Sequence, residues 1–362
     1  MYRIVIVGGG VIGLLTAREL RLSGAEVTVV ERQQPVRESS WAGGGIVSPL
    51  FPWRYLDSIT HLASWSQKHY PEICQALLEN TRIDPQYTVS GIITVTPEDA
   101  DYALSWAKQF GHRMEALNDK RYKELEPAGT ELGGPAVFMP DVAQVRNPRI
   151  TQALLAEVKR LGVEVISDSP VTGLQIENGQ CKGVITDKHT YQGDTVVVAA
   201  GAWTGDLLKD LTPPDVQPVR GQMILFDTPV GTIKRMVLEA NRYVIPRQDG
   251  LVLFGSTIEH VGYEKETTQE AYDELYQIAT ERFPVLKQYP VVKHWAGLRP
   301  SSPAGVPYIG PHPDVENLFV NAGHFRNGVV LGPASGRLMS DLVLDKDPIV
   351  DPSPYGWTTA RG

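Results

Sequence analysis

The residues of this chain whose types and spacing carry chemistry begin with a glycine fingerprint. Gly8, Gly10 and Gly13 stand in the spacing G-x-G-x-x-G, and Glu31 follows eighteen residues after the last of them. The first glycine permits a tight turn, the second lets a pyrophosphate reach bare backbone, and the third lets a helix pack on a strand. Free N–H groups at that helix start would face the phosphates. An acid at Glu31 is placed for a ribose hydroxyl pair and disfavours a 2′-phosphate, so NADP is not expected. Far along the chain, Arg299 in Gly297-Leu298-Arg299-Pro300 is a candidate carboxylate clamp, because a planar guanidinium forms bidentate charge-assisted pairs. Spacing alone leaves a surface arginine as the other reading. Tyr243, in Arg242-Tyr243-Val244-Ile245-Pro246, is a second polar candidate, with half-buried packing as its plain alternative.

Elements must hold these groups in place. Ile4 to Val7 reads as a short buried strand, an amphipathic stretch runs to about Ser23, and a second apolar strand ends on Glu31. Arg149 to Leu161 has helical periodicity and Val163 to Ile166 reads as a strand. Thr195 to Ala200 is an apolar strand closed by Gly201, and Leu318 to Leu344 reads as strand, polar loop and helix. These pieces suit one α/β domain assembled from separated segments. The stretches between them differ. Tyr87 to Val95 and Gln222 to Phe226 are strand-like, and Arg242 to Ile245 and Leu251 to Phe254 bracket the turn signal Arg247-Gln248-Asp249-Gly250. Helices are expected near Pro97 to Phe110 and Thr268 to Phe283, and Arg299 is expected just past a strand over Val291 to Trp295, its exit fixed by Pro300. The expected class is α/β plus α+β. A Rossmann-like nucleotide domain would comprise residues 1–85, 141–218 and 296–362, with a mostly antiparallel β-sheet substrate domain from 86–140 and 219–295.

Bulk properties narrow the partners. At 362 residues the chain exceeds one usual core. A net charge of −8 without a basic run argues against nucleic acid. No apolar run approaches the ~18 residues that span a bilayer. The first strand begins at residue 3 or 4, leaving no room for a signal peptide, so a cytoplasmic protein is expected. Cys74 and Cys181 are the only cysteines, which gives neither a disulfide framework nor a CxxC pair, and no histidine spacing suits a metal.

A second glycine fingerprint, expected of a reductase driven by NAD(P)H, is missing, so electrons would pass from substrate to one bound cofactor. Two segments favour FAD over NAD. Ser39-Ser40-Trp41-Ala42-Gly43-Gly44-Gly45 offers bare backbone to an extended cofactor, and His324-Phe325-Arg326-Asn327-Gly328-Val329-Val330 opens the final helix. A helix N-terminus at the flavin N1–C2=O edge would stabilise the charge of reduced flavin.

The segments VIVGGGVIGLLTARELRLSGAEVTVVE, SSWAGGGIVSP, VVVAAGAW, PVRGQM, WAGLRPSSPAGVPYIG and GHFRNGVVLGPASG, in order from residue 3 to about 343, resemble the D-amino-acid-oxidase family of FAD amine oxidoreductases, nearest its glycine-oxidising, thiamine-pathway branch. The resemblance implies FAD, two domains and oxidation of an amino acid's Cα–N bond to an imine. It implies cofactor contacts at Gly8, Gly10, Val11, Ile12, Gly13, Glu31, Arg32, Ser39, Ser40, Ala42, Gly43, Gly44, Gly45, Val171, Ala200, Gly201, Trp203, Arg326, Asn327, Gly328, Val329 and Val330. It implies a substrate carboxylate held by Arg299 and Tyr243, an apolar wall at Ile258, and Arg326 on the flavin side. The expected substrates are glycine, sarcosine or small D-amino acids, with O₂ as acceptor and peroxide as product. A D-amino-acid or D-proline dehydrogenase feeding a quinone is the alternative. With no cysteine near the C-terminal loop and no histidine in SSWAGGG, FAD is expected to be non-covalent. A homo-oligomer, as in tetrameric relatives, and a thiazole-forming partner complete the expectations.

Overall fold

The computed structural model describes residues 2–96 and 98–357. Two large sheets organise it, and each has its own apolar core. The first is six-stranded. Strand β1 (Arg3–Val7) lies at its centre, between Glu26–Val30 and Thr195–Val198, with Glu164–Ile166 beyond the former and Leu318–Ala322 beyond the latter. Those pairings are all parallel, and only the outer strand Tyr308–Pro311 runs antiparallel. Being covered on both faces, the central strands read as unbroken apolar runs rather than alternating ones. Helix α1 (Val11–Leu22) packs on this sheet and against the final helix, Gly328–Val343, which itself contacts the strands Tyr308–Pro311 and Leu318–Ala322. The helices approach closely because a side chain at Gly336 would press on the backbone of Leu15 and Thr16.

The second sheet has eight strands and is antiparallel except where Met236–Glu239 runs alongside Ile92–Val95. The hairpin Arg242–Pro246 and Leu251–Gly255 forms as the turn signal predicts, with Gly250 at φ +90°. Gln217–Asp227 and Val291–Ser301 pair over their lengths.

Several expectations need correction. The strand expected over Tyr87 to Val95 is two strands, Thr88–Val89 and Ile92–Val95, in different sheets. The chain turns at Gly91 (φ +66°), where a side chain would collide with Phe138. Arg299 does not follow a strand but lies inside one: Val291–Ser301 continues past Trp295, with Arg299 opposite Val219. Pro300 is tolerated there because this strand is the sheet's edge. The expected helix near Pro97 begins at Ala100, and Pro97 itself lies outside the described residues. The 25-residue helix Asp57–Thr81 and the three-stranded sheet of Val171–Glu177, Gln180–Thr186 and Thr190–Gln192 were not anticipated.

Candidate active site

A cavity of about 700 Å³ runs from the carboxyl ends of the parallel strands to the face of the eight-stranded sheet. At its first end lies the glycine turn. Gly8 adopts φ +112°, and a side chain there would overlap the Ala199 carbonyl. Gly13, where a side chain would overlap the Gly8 carbonyl, is packed behind the turn rather than on the cavity wall. Gly10 lines the cavity. The next N–H, of Val11, donates to Ser40 Oγ at 2.9 Å, tying the turn to the helical turn Ser39–Ala42.

Glu31 sits just past its strand, and its carboxylate accepts from the N–H of Gly9 (2.7 Å) and Gln33 (3.1 Å). Burial raises its pKa while those two N–H groups hold it down. Arg32 lies over the Trp203 ring, 3.5 Å from its centroid, and pairs with Glu38 at 2.6 Å. Trp203 in turn stacks on Tyr263. Val171, Ala200 and Gly201 complete this end, with Val11, Ile12, Ser39, Ala42, Gly43, Gly44 and Gly45 along the wall.

The other end is made by the second sheet. Arg299 is half-buried, and its Nη2 donates to Ser256 Oγ at 2.7 Å. Its Nη1 donates to the carbonyls of Thr257 (3.1 Å) and Arg220 (3.3 Å). The Tyr243 hydroxyl donates to the same Ser256 Oγ at 3.3 Å. Among the described residues no carboxylate forms an ion pair with Arg299. The nearby acid, Glu259, is taken by Arg220, Gln222 and Thr257. Burial lowers the Arg299 pKa, the Tyr243 hydroxyl opposes that shift, and Arg326 adds to it. A partly desolvated cation without a counter-ion favours the arrival of an anion.

The remaining expected residues divide. Arg326, Gly328 and Val329 line the cavity, and Arg326 reaches Asn241 Oδ1 at 3.4 Å. Asn327 and Val330 are buried behind the lining. Ile258, expected as an apolar wall, is 39% exposed and outside the lining, because its strand has ended at Gly255 and the chain leads outward. Apolar surface at this end comes instead from Ile46, Leu50 and Met223.

Three contributors carried weak signals or none in the sequence. Ser256 bridges the two substrate candidates, and nothing local marks it. Gly221 lies under the Arg299 guanidinium, which a side chain there would displace. A glycine inside an apolar strand is a sign of such close approach. His324 lines the cavity, is fully buried, and meets Ser335 Oγ at 2.9 Å. Burial pushes its pKa down to about 3, so it is neutral.

The bare turn, the caged acid, the long cavity and the helix start at its far wall fit an extended dinucleotide carrying a ring system at the second sheet. This is the architecture of a two-sheet flavin-dependent oxidoreductase. A family model described as DAO, FAD dependent oxidoreductase, matches residues 3–342, and the chain belongs to that family. It is 47% identical over 358 residues to a glycine oxidase of Pseudomonas aeruginosa, covering 98% of both chains. It is 32% identical to the bifunctional protein ThiO/ThiG of Trichormus variabilis, covering 97% of this chain and 54% of that one. The crystal structure of glycine oxidase from Geobacillus kaustophilus superposes with a TM-score of 0.90 at 29% identity, covering 99% of each chain. The protein is an FAD-dependent oxidoreductase.

Proposed function

We propose that the protein oxidises glycine, and with it sarcosine or small D-amino acids, to the imine with O₂ as electron acceptor. The observation that carries this reading is Arg299, a half-buried guanidinium with no counter-ion among the described residues, held beside the Tyr243 hydroxyl where it lines the end of the FAD cavity. Nη1 donates to two backbone carbonyls and Nη2 to Ser256, the Tyr243 hydroxyl also hydrogen-bonds the guanidinium, and the edge bearing Nε and Nη2 is the one proposed to take the ligand. That is a side-on clamp for one carboxylate. With the carboxylate fixed, Ile46, Leu50 and Met223 leave an apolar space for the Cα substituent and exclude water from it. Bound FAD supplies the two-electron sink for the Cα–H bond. No protein base is needed if the amine enters neutral, since its lone pair drives the loss of hydride from Cα. The protein contributes position and field.

On the same reading FAD is held without a covalent bond, since neither Cys74 nor Cys181 lines the cavity. The expected division into a nucleotide domain of 1–85, 141–218 and 296–362 and a substrate domain of 86–140 and 219–295 is proposed with two bounds moved, because the strands Gln217–Asp227 and Val291–Ser301 belong whole to the eight-stranded sheet and carry Arg299 with it. The cavity end at Arg299 and Tyr243 then lies where the two meet. The fusion seen in the ThiO/ThiG relative favours a thiazole synthase as recipient of the imine. No helix among the described residues is long and apolar enough to cross a membrane, in keeping with a cytoplasmic site of action. Association into a homo-oligomer belongs to the same proposal.

The test is anaerobic mixing of the yellow protein with glycine, sarcosine, D-alanine and D-proline, following bleaching near ~450 nm, because the flavin receives the electrons. Bleaching by glycine that air reverses with release of peroxide is expected. Bleaching that air leaves unchanged would replace the oxidase with a dehydrogenase, and no bleaching by any of the four would end the small-amine reading.

A further inference from the structure

The final helix, Gly328–Val343, presents its first turn to the cavity through Gly328 and Val329, yet carries a proline at position 333. Proline has no N–H, so the carbonyl of the residue four before it, Val329, loses its helical partner. That carbonyl is not left unsatisfied. The Tyr70 hydroxyl, from the long helix Asp57–Thr81, donates to it at 2.6 Å. One turn earlier on the same face, Ser66 Oγ accepts the N–H of Ala334 at 3.0 Å. Two side chains of one helix thus repair the other at the point where proline opens its ladder. Tyr70 is fully buried, and burial pushes its pKa up, so the hydroxyl stays protonated and able to donate. Gly332 and Gly336 press the next two turns against α1, where side chains would strike Leu15. The first turn has no comparable packing glycine, and its cap residue, Asn327, makes no side-chain cap bond.

We propose that Tyr70 is a positioning residue for flavin chemistry: through the Val329 carbonyl it fixes the first turn of the final helix, and so the aim of that helix's free N–H groups into the cavity. An N–H dipole stabilises charge only while it points at it, and a frayed first turn reorients on the sub-ångström scale that decides such interactions. Val329 stands in both arrangements, since it lines the cavity and its carbonyl is the one the proline frees. The inference rests on the FAD-dependent assignment and is independent of which amine is oxidised.

The test is the two-electron midpoint potential of the FAD-loaded protein, read by dye equilibration with a chemical reductant, beside the FAD dissociation constant. Tyr70→Phe deletes the hydroxyl alone. The equilibrium constant for reduction is expected to fall about five-fold, which is roughly 20 mV for a two-electron couple. The deciding variant is Tyr70→Phe with Pro333→Ala, because alanine returns the N–H that the Val329 carbonyl lacks. The double variant is expected to recover at least half of the lost potential, which no purely structural role of the hydroxyl predicts. If Tyr70→Phe fails to retain FAD, recovery of binding by Pro333→Ala supports the same link. An unchanged potential in Tyr70→Phe, or a loss that Pro333→Ala does not relieve, overturns the proposal. Since the reductant is chemical, an enzyme that ignores glycine would leave this measurement intact.

Discussion

Replacing Arg299 by methionine tests the carboxylate clamp directly. Methionine keeps an unbranched stem about as far as the arginine Nε and removes the guanidinium over Gly221 with all its donors. What is lost follows from the contacts. Nη1 is engaged by the carbonyls of Thr257 and Arg220, and a carboxylate seated on the edge bearing Nε and Nη2 would take two hydrogen bonds. Each hydrogen bond to a charged partner contributes about 1.5–3 kcal/mol. Losing two removes about 3–6 kcal/mol, a fall of about 10²- to 10⁴-fold in kcat/KM for glycine at 1.36 kcal/mol per tenfold. Arg299→Lys keeps the charge without the fork and should fall between that variant and the parent. The assay is the rate of flavin bleaching by glycine in anaerobic stopped flow, with FAD content and absorbance spectrum checked first. Methylamine, which has no carboxylate, is the control and should reduce both proteins at the same poor rate. A methionine variant that holds FAD normally and stays within five-fold of the parent with glycine would refute the clamp.

Glu31→Ala should weaken FAD binding at least tenfold, measured by fluorescence titration of the apoprotein, since the carboxylate both caps the turn through Gly9 and faces the cavity. An unchanged affinity would remove Glu31 from the site. Gly44→Ala should cut glycine turnover more than FAD affinity, because the added Cβ would stand 2.8 Å from Ile245 Cδ1 and 3.1 Å from Tyr243 Cε2; equal losses in both would show that the segment fails as a whole. Acid should destabilise the fold through His324, whose folded pKa of about 3 lies below its unfolded value. That stability is complete above the ordinary histidine pKa and is lost as pH falls below it, at up to about 1.4 kcal/mol per pH unit. Burial shifts His112, His294 and His312 the same way. Urea midpoints at pH 7.5 and 5.0 should therefore diverge less in His324→Asn than in the parent, and identical divergence would count against the buried histidine. Burial raises the pKa of both thiols, that of Cys74 to about 12, so Ellman's reagent should label neither until guanidinium is added. Stoichiometric labelling of the native protein would contradict the packing.

What the sequence showed well was local. The fingerprint from Arg3 to Glu31 is legible because each glycine answers a constraint within that short span, and strand and helix periods change at the turn itself. The hairpin at Arg247–Gly250 is legible for the same reason. The helix Asp57–Thr81 is hard to read because Ser58, Thr60 and Ser66 interrupt its buried face, and Ser66 and Tyr70 are set by hydrogen bonds to the final helix that no local pattern announces. Arg299 was recognisable by type, but its setting was not. Its place inside an edge strand depends on pairing with Val219, eighty positions away, and its lack of a counter-ion depends on Glu259 being occupied by Arg220. Ser256 is invisible without the fold, since a serine after a strand has no distinguishing neighbours. Ile258 illustrates the converse, a position placed by resemblance that the local chain path carries to the surface.

The glycine run after Trp41 is where nucleotide and substrate chemistry become one problem. Read as sequence, Gly43 to Gly45 offer bare backbone to a cofactor, and they do line the cavity. Their other sides are nonetheless packed against protein. A side chain at Gly45 would overlap the Val145 carbonyl, and one at Gly43 would meet Asn147 Nδ2 at 2.8 Å. The segment is held from the substrate sheet as well, since Arg247 Nη2 donates to the Gly44 carbonyl at 2.7 Å and Trp295 Nε1 to that of Ala42 at 3.0 Å. It is therefore fixed to the eight-stranded sheet through its carbonyls while it lines the cavity. A cofactor lying along Gly43 to Gly45 is thereby referenced to the sheet that bears Tyr243 and Arg299. That common reference is what a reaction between a small amino acid and a ring system requires, because a displacement of about 1 Å at the reacting atoms costs orders of magnitude in rate. The absence of side chains in this run then serves alignment of the two binding ends as much as room for the cofactor.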